Sequence, residues 1–525
     1  MTGDLSALSA DLAALLGPAG LSDDPAARAL HGSDLLADGA DCVLVVRPDT
    51  VEQLAEAVRL IGAAGLAMAP RGGGLTYVQG YLPQGRPFAA IDCSRLNRIV
   101  EISATDMIIT VEAGVTWRQI HAALQPLGLR LPFFGTFSGA RATVGGGLSN
   151  GALFLGTARH GTAAEIVVGL DVVLADGSLL RTGQMAVANA PRPFLRSFGP
   201  DTTGLFVHDA GALGIKARAS LRLIRAPERT GFLSFAFADQ SAGIAALAEI
   251  ARSDLAEDAY LMDPDKTRTA FAGADLTRDA RVLAGVMRQE RGLLRGLGAG
   301  ARLALAGKDF IAAGCHSLHL VLAARSEAAL AADMAAARAI AARCGGLALP
   351  DSIPRAGRAD LFAPVAGLVL GPDADRWVAL NAKVAHRDAP ALAAAVEAVF
   401  ARHQTALCAA GVVVSRLLTV MGTHAFSYEP VMNWRDRWLP LHRDIVGPGD
   451  NRPEPEAAPD ARALVLQVRA ELIAEFARLG ACSNQIGRTY PYASILRSEA
   501  RGLLQAIKAA VDPRGLMNPG ALELA

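Results

Sequence analysis

The apolar stretch Leu66-Ala67-Met68-Ala69-Pro70 runs directly into Arg71-Gly72-Gly73-Gly74-Leu75-Thr76-Tyr77. The first five residues read as a buried strand and the glycines as a loop at its end. Three successive glycines let a ligand approach the backbone and accept positive φ at little steric cost. Consecutive amides in such a turn can converge into an anion-binding concavity. Arg71 adds a fixed positive charge and Thr76 a hydroxyl donor, a set that suits a diphosphate. By itself the turn reads equally well as an ordinary tight glycine turn.

The flanking sequence gives the loop a setting. Cys42–Val46 is apolar, and Thr50-Val51-Glu52-Gln53-Leu54 opens a helix with Leu54, Val58 and Ile61 on one face, which Gly62 and Gly65 break. The order is strand, helix, strand, loop. Further strands are expected at 89–92 and Ile108–Glu112, and a helix at Trp117–Leu127. A second glycine-rich segment, Gly135–Gly161, is too long and too rich in glycine to be helix or strand throughout. A loop of that length inside a compact domain is uncommon unless it binds something. Ile166–Leu174 and Leu179–Arg181 flank an Asp176-Gly177 turn and read as a hairpin. Ile215–Ile224 alternates as a strand.

Near Arg225–Glu228 the pattern changes to strands (Phe232–Phe237, His319–Ala323) mixed with alanine-rich helices (Glu327–Cys344, Pro390–Ala401). We expect three segments: 1–228, 229–455 and 456–525. Gly447–Asp460, with four prolines, reads as a surface loop. The tail is helical up to Asp512-Pro513-Arg514-Gly515 and then turns through Asn518-Pro519-Gly520.

Lys+Arg and Asp+Glu both total 51, so the formal charge is zero and the usual electrostatic case for a nucleic-acid partner is missing. Six scattered cysteines without a CxxC pair imply neither a zinc site nor a disulfide framework, and suggest a reducing, cytoplasmic setting. The N-terminus has no basic, long-apolar leader pattern and reads as a short amphipathic helix. No apolar run approaches the length of a transmembrane helix.

Neither glycine segment supplies the GxGxxG dinucleotide fingerprint: Gly145-Gly146-Gly147-Leu148-Ser149-Asn150 lacks the last glycine. No GxxxxGK[ST] occurs either. A ligand touched by two loops some sixty residues apart must be long, and flavin adenine dinucleotide (FAD) fits.

Here the chain resembles the FAD-linked oxidase superfamily of the vanillyl-alcohol oxidase/p-cresol methylhydroxylase type. The motifs are VRPDTVEQLAEAVRLIGAAGLAMAPRGGGLT, ATVGGGLSNGALFLGTARHGTAAEIVVGLDVVLADGSLLRTG, FGPDTTGLFVHDAGALGIKARASLRL and VDPRGLMNPG. The resemblance implies an α+β fold: a two-subdomain FAD-binding domain built from both ends of the chain, plus an α+β cap domain with an antiparallel sheet. It implies that Arg71, Gly72, Gly73, Gly74, Leu75 and Thr76 hold the FAD diphosphate. Thr143, Gly145, Gly146, Asn150, His160 and Gly161 would line the cofactor, with Ile215 beside the adenine and Asn518 near the flavin. The partners implied are a small-molecule substrate and an electron acceptor left open among oxygen, a cytochrome and a quinone. The oligomeric state is open, a homodimer among the choices.

The motifs look nearest to the D-lactate/glycolate dehydrogenase branch, with one departure. That branch carries a C-terminal glutamate-histidine-glycine motif and two histidines around Gly-Asp-Gly, which supply metal ligands and a base. Here the corresponding segments are Ser483-Asn484-Gln485-Ile486-Gly487 and Gly422-Thr423-His424-Ala425-Phe426-Ser427-Tyr428-Glu429-Pro430, so no metal is expected. Arg488-Thr489-Tyr490-Pro491-Tyr492 suits an anionic oxygen, because arginine holds a carboxylate or phenolate and a tyrosine hydroxyl can donate to the same oxygen. Arg488 is the expected anion anchor, and Tyr490, Tyr492 and His424 are candidates for orientation or proton transfer. Lys383 and Arg416 are weaker anion contacts. The function expected is hydride removal from a small hydroxylated anionic substrate, a D-2-hydroxy acid or related alcohol, to flavin N5. The alternatives are oxidation of a 4-substituted phenol and a non-catalytic FAD subunit of an electron-transfer complex.

Overall fold

The computed structural model describes residues 2–272, 314–371, 373–449 and 452–524. Residues 450 and 451 of the expected surface loop lie outside them. The first sheet is ordered Leu21–Ser22, Cys42–Val46, Phe88–Asp92, Ala67–Arg71; its last three strands are parallel. The crossover is the helix Val51–Ala63, which starts where Thr50 accepts from the Gln53 amide and buries Val51, Leu54, Ala57, Val58 and Ile61. Gly62 stays inside this helix. Gly65, at φ +71°, ends it as a left-handed cap.

The second sheet is antiparallel, in the order Ile99–Ser103, Ile108–Glu112, Ile215–Arg222, Val167–Val173, Leu179–Arg181. One apolar core joins the first two sheets. Met68 and Ile91 meet Val173, Ile215 and Ala217, and Leu8, Leu12 and Leu16 of the helix Thr2–Leu16 close one side.

Among the described residues the third sheet has eight strands. Seven run in the order Leu347–Leu349, Arg229–Phe237, His316–Ala324, Asp258–Met262, Val413–Met421, Ala425–Trp434, Arg376–Ala379, and Ala382–Ala385 also pairs with Ala425–Trp434. Helices Gln240–Arg252, Glu327–Arg343 and Ala389–Ala409 accompany it. The helix Pro459–Arg478 packs on Ala389–Ala409, and the chain then returns to the first sheet. There the Met68 amide donates to Leu516 O at 2.8 Å and the Asn518 amide to Met68 O at 2.7 Å, so the tail extends the sheet beside the first glycine loop. Among the described residues no helix is long and apolar enough to cross a membrane.

Candidate functional site

The two glycine segments touch. A Cβ on Gly72 would overlap Thr143 Oγ1, and one on Gly73 would overlap Arg141 O. Arg141 Nε donates to Gly73 O at 2.8 Å. Only glycine permits this approach. Among the described residues, the amides of Gly72, Gly73, Gly74 and Leu75 donate to no protein group. Four free consecutive amides at a glycine turn suit a diphosphate, so the residues present fit the cofactor expected.

Side chains around the loop depart from the expectations. Arg71 is buried beneath the turn: its guanidinium lies against Gly74 and 5.6 Å from the centre of the Tyr81 ring, with Nη1 3.4 Å from His31 Nε2. Among the described residues its Nε and Nη2 are buried without a protein hydrogen-bond partner. The Thr76 hydroxyl is committed to Asp34, at 3.2 Å, and Asp34 also receives the amides of Leu36, Ala37 and Gln79. Leu75 packs on the core. The first loop therefore offers its free amides, as the sequence suggested, while the Thr76 hydroxyl is committed elsewhere.

In the second segment, Val144–Ser149 is a short helix capped by Thr143, whose Oγ1 accepts from the Gly146 amide at 3.3 Å. Gly145 is a packing glycine, with its amide on Ala113 O at 2.8 Å and no room for a Cβ against Ala113. Gly146 has only Thr143 Oγ1 near its missing Cβ. Asn150 donates to Gly146 O at 3.1 Å and leaves a buried, unpartnered Oδ1. His160 is half-buried. Burial and then Arg130 push its pKa down to about 4. Gly161 takes φ +78°. The Ile215 side chain lies in the core between the two sheets.

Asn518 is fully buried. Its amide donates to Gly80 O (2.7 Å) and Ala210 O (2.5 Å), and its Oδ1 accepts from Arg488 Nη2 (2.7 Å). Arg488 further donates to Gln79 O (2.7 Å) and Pro519 O (2.6 Å). This corrects the expectation of an anion anchor: the guanidinium spends its fork on tail and loop carbonyls. Replacing Arg488 by Met should leave those buried acceptors unpaired and destabilise the fold by about 3 kcal/mol. A thermal melt of the holoprotein checks this. His424 is also corrected. It is exposed in the turn between Val413–Met421 and Ala425–Trp434, away from the buried polar groups. Tyr492 is tied by its amide to Glu523 at 3.0 Å in the tail. Among the described residues no group of three His, Cys, Asp or Glu could hold a metal.

The structure instead gathers a polar cluster where the third sheet meets the second glycine segment. Lys383 is 4% exposed; its Nζ donates to Asn381 Oδ1 at 2.8 Å and to Asn484 Oδ1. Asn484 Nδ2 donates to Gly151 O at 2.7 Å. The Tyr490 hydroxyl accepts the Asn381 amide at 2.7 Å, and burial pushes its pKa up to about 12. Glu429 Oε2 lies 3.5 Å from Asn381 Nδ2. Burial raises the Glu429 pKa, against the pull of Lys266, Asn381 and Lys383. Tyr77 receives Gln485 Nε2 at 3.0 Å. Asn381, Asn484 and Tyr77 were missed as site residues. The signal available for Asn484 was its place in Ser483–Gly487, the segment that corresponds to the related branch's glutamate-histidine-glycine motif.

Among the described residues no carboxylate pairs with Lys383, and burial lowers its pKa to about 7 from the ordinary 10.5. Between these values the unfolded chain binds the proton that the folded chain releases, so stability rises with pH. Below about pH 7 both states are protonated and the gain stops. Urea midpoints at pH 7, 8.5 and 10 should therefore climb more steeply for the native chain than for Lys383→Met.

Residues 43–183 match a family model described as FAD binding domain. That segment carries an FAD-binding domain. Its cofactor is FAD. The chain is 32% identical over 213 residues to a probable mitochondrial D-lactate dehydrogenase of Danio rerio, covering 40% of this chain and 41% of the relative. It is 31% identical over 183 residues to a D-2-hydroxyglutarate dehydrogenase of Xanthomonas citri pv. viticola, covering 35% and 37%. The alignments thus span about two fifths of these relatives. In fold it matches a solved p-cresol methylhydroxylase with substrate bound, at TM-score 0.73, 17% identity, and 100% and 98% coverage.

Proposed function

We propose that this chain is an FAD-dependent oxidoreductase that removes hydride from a small hydroxylated anion, of the D-2-hydroxy acid class. The observation that carries this is Lys383: a buried amine whose Nζ has, among the described residues, only neutral amide oxygens as hydrogen-bond partners, beside the second glycine segment. A lysine ammonium has three donors. Two are occupied, and the third is left for a substrate anion. The approach of that anion offsets the burial that disfavours the charged amine.

Bound FAD supplies a hydride acceptor at N5. Glu429 takes the proton from the substrate hydroxyl. A carboxyl with a raised pKa is matched to this task, and Asn381 links it to Lys383. Tyr490 fixes the Asn381 backbone through its hydroxyl. The kinship with D-lactate and D-2-hydroxyglutarate dehydrogenases supports the same substrate class.

A second reading is oxidation of a 4-substituted phenol. It is supported by two buried tyrosines, Tyr77 and Tyr490, that share the buried Arg469 as a charged neighbour. Anaerobic mixing of the flavin-loaded protein with D-2-hydroxy acids or with 4-alkylphenols separates the two. Flavin bleaching by the acids supports the first reading, and bleaching by phenols alone overturns it.

A further inference from the structure

The third sheet aligns a row of side chains across six strands. In register are Lys383 with Ser427, Ser427 with Thr419, Thr419 with Tyr260, Tyr260 with His319, and His319 with Ser234. Residues directly opposite one another share a face, so Tyr260 stands on the same face as Lys383, three strands away. The next row on that face, two residues along, holds Glu429, Leu417 and Met262 in register. At about 4.8 Å per strand, Leu417 lies one strand from Glu429 and Met262 lies two.

The face therefore changes character along its length. Lys383 and Glu429 are charged or polar. Tyr260, Met262 and Leu417 form a small apolar cluster separate from the main cores, joined by Phe154 and Ile353. The second glycine segment runs beneath both ends: Gly151 is tied to Lys383 through Asn484, while Phe154 lies 5.6 Å from the Tyr260 ring and 4.3 Å from Phe137. Phe154 is held at φ +148°, unusual for a residue with a side chain. A cavity of about 10 Å³, the space of a single water, opens at this aromatic end, lined in part by Phe154, Thr157, Asp258, Tyr260 and Thr419.

We infer that the substrate is a hydroxy acid with an aryl or branched-alkyl substituent: its anionic end meets Lys383 and its apolar body lies along Leu417, Met262, Tyr260 and Phe154. This rests on the reading of Lys383 as the anion partner and narrows the class beyond it. A lactate-sized acid would satisfy the lysine and leave the aromatic end unused. The apolar end adds affinity in proportion to the surface it covers.

The test uses acids that cannot be oxidised, so it does not depend on turnover. Acetate, 3-methylbutanoate and phenylacetate are titrated into the flavin-loaded protein, followed by flavin difference absorbance and calorimetry. The expected order is phenylacetate, then 3-methylbutanoate, then acetate, with at least about tenfold between the extremes. Leu417→Trp, which fills the apolar end, should collapse that ratio. Equal affinities, binding of acetate alone, or no binding by any acid would overturn the proposal, and the native series decides this by itself. Lys383→Met should weaken all three acids alike. If it weakens none while the order persists, the anion role of Lys383 fails and the apolar preference stands.

Discussion

Replacing Glu429 by Gln should slow flavin bleaching by the hydroxy acid about 10²–10⁴-fold, the usual contribution of a positioned general base. The substitution keeps size and hydrogen bonding and removes the group that accepts the proton. Flavin content and substrate affinity should change little, because the anion is held by Lys383. The pH profile gives a sharper reading. Burial raises the Glu429 pKa above its ordinary 4.5, and the base works only when ionised. The native rate should therefore rise with pH through that shifted value. The variant should lose this acidic limb. A variant that keeps both rate and limb would move the proton to another group.

Replacing Gly72 by Val should yield protein without flavin. A Cβ there overlaps Thr143 Oγ1, the cap of the helix Val144–Ser149, so relief must come from separating the two glycine segments. Separation would displace the free amides of the first loop. Overpacking of this kind costs about 1–3 kcal/mol, and the ratio of flavin absorbance to protein reads the loss. Gly502→Ala serves as a control. It lies in the helix Ser498–Val511 with open space around its Cβ position, so it should keep flavin and gain about 1 kcal/mol of helix propensity. Full flavin content in the Gly72 variant would refute the interlocked arrangement.

Backbone features of this site were legible in the sequence, and side-chain directions were not. The Thr50 cap and the spacing of Leu54, Val58 and Ile61 announced the crossover helix, since both are local. Three glycines announced the turn because few residues tolerate its geometry. Arg71, Thr76 and Arg488 had the right chemistry for a phosphate or an anion. The Thr76 hydroxyl went instead to Asp34, and Arg488 Nη1 and Nη2 to Gln79, Asn518 and Pro519, while the Arg71 guanidinium is buried beneath the turn. Those acceptors arrive from up to 409 positions away, and no local pattern reveals them. Lys383 was visible as a cation and Glu429 as an acid in the segment Gly422–Pro430. Alternation gives two faces and does not say which one the cofactor-binding half will cover.

The tail's seat on the first sheet sets the order of events during synthesis. Met68 waits for Leu516, and Gly80 for Asn518, before the wall beside the glycine loop is complete. A polypeptide that has not yet placed Leu516 and Asn518 therefore lacks the completed wall of the clasp. Contacts this distant in sequence are also the slowest to form. During that interval the nascent protein depends on its first two sheets to stay compact.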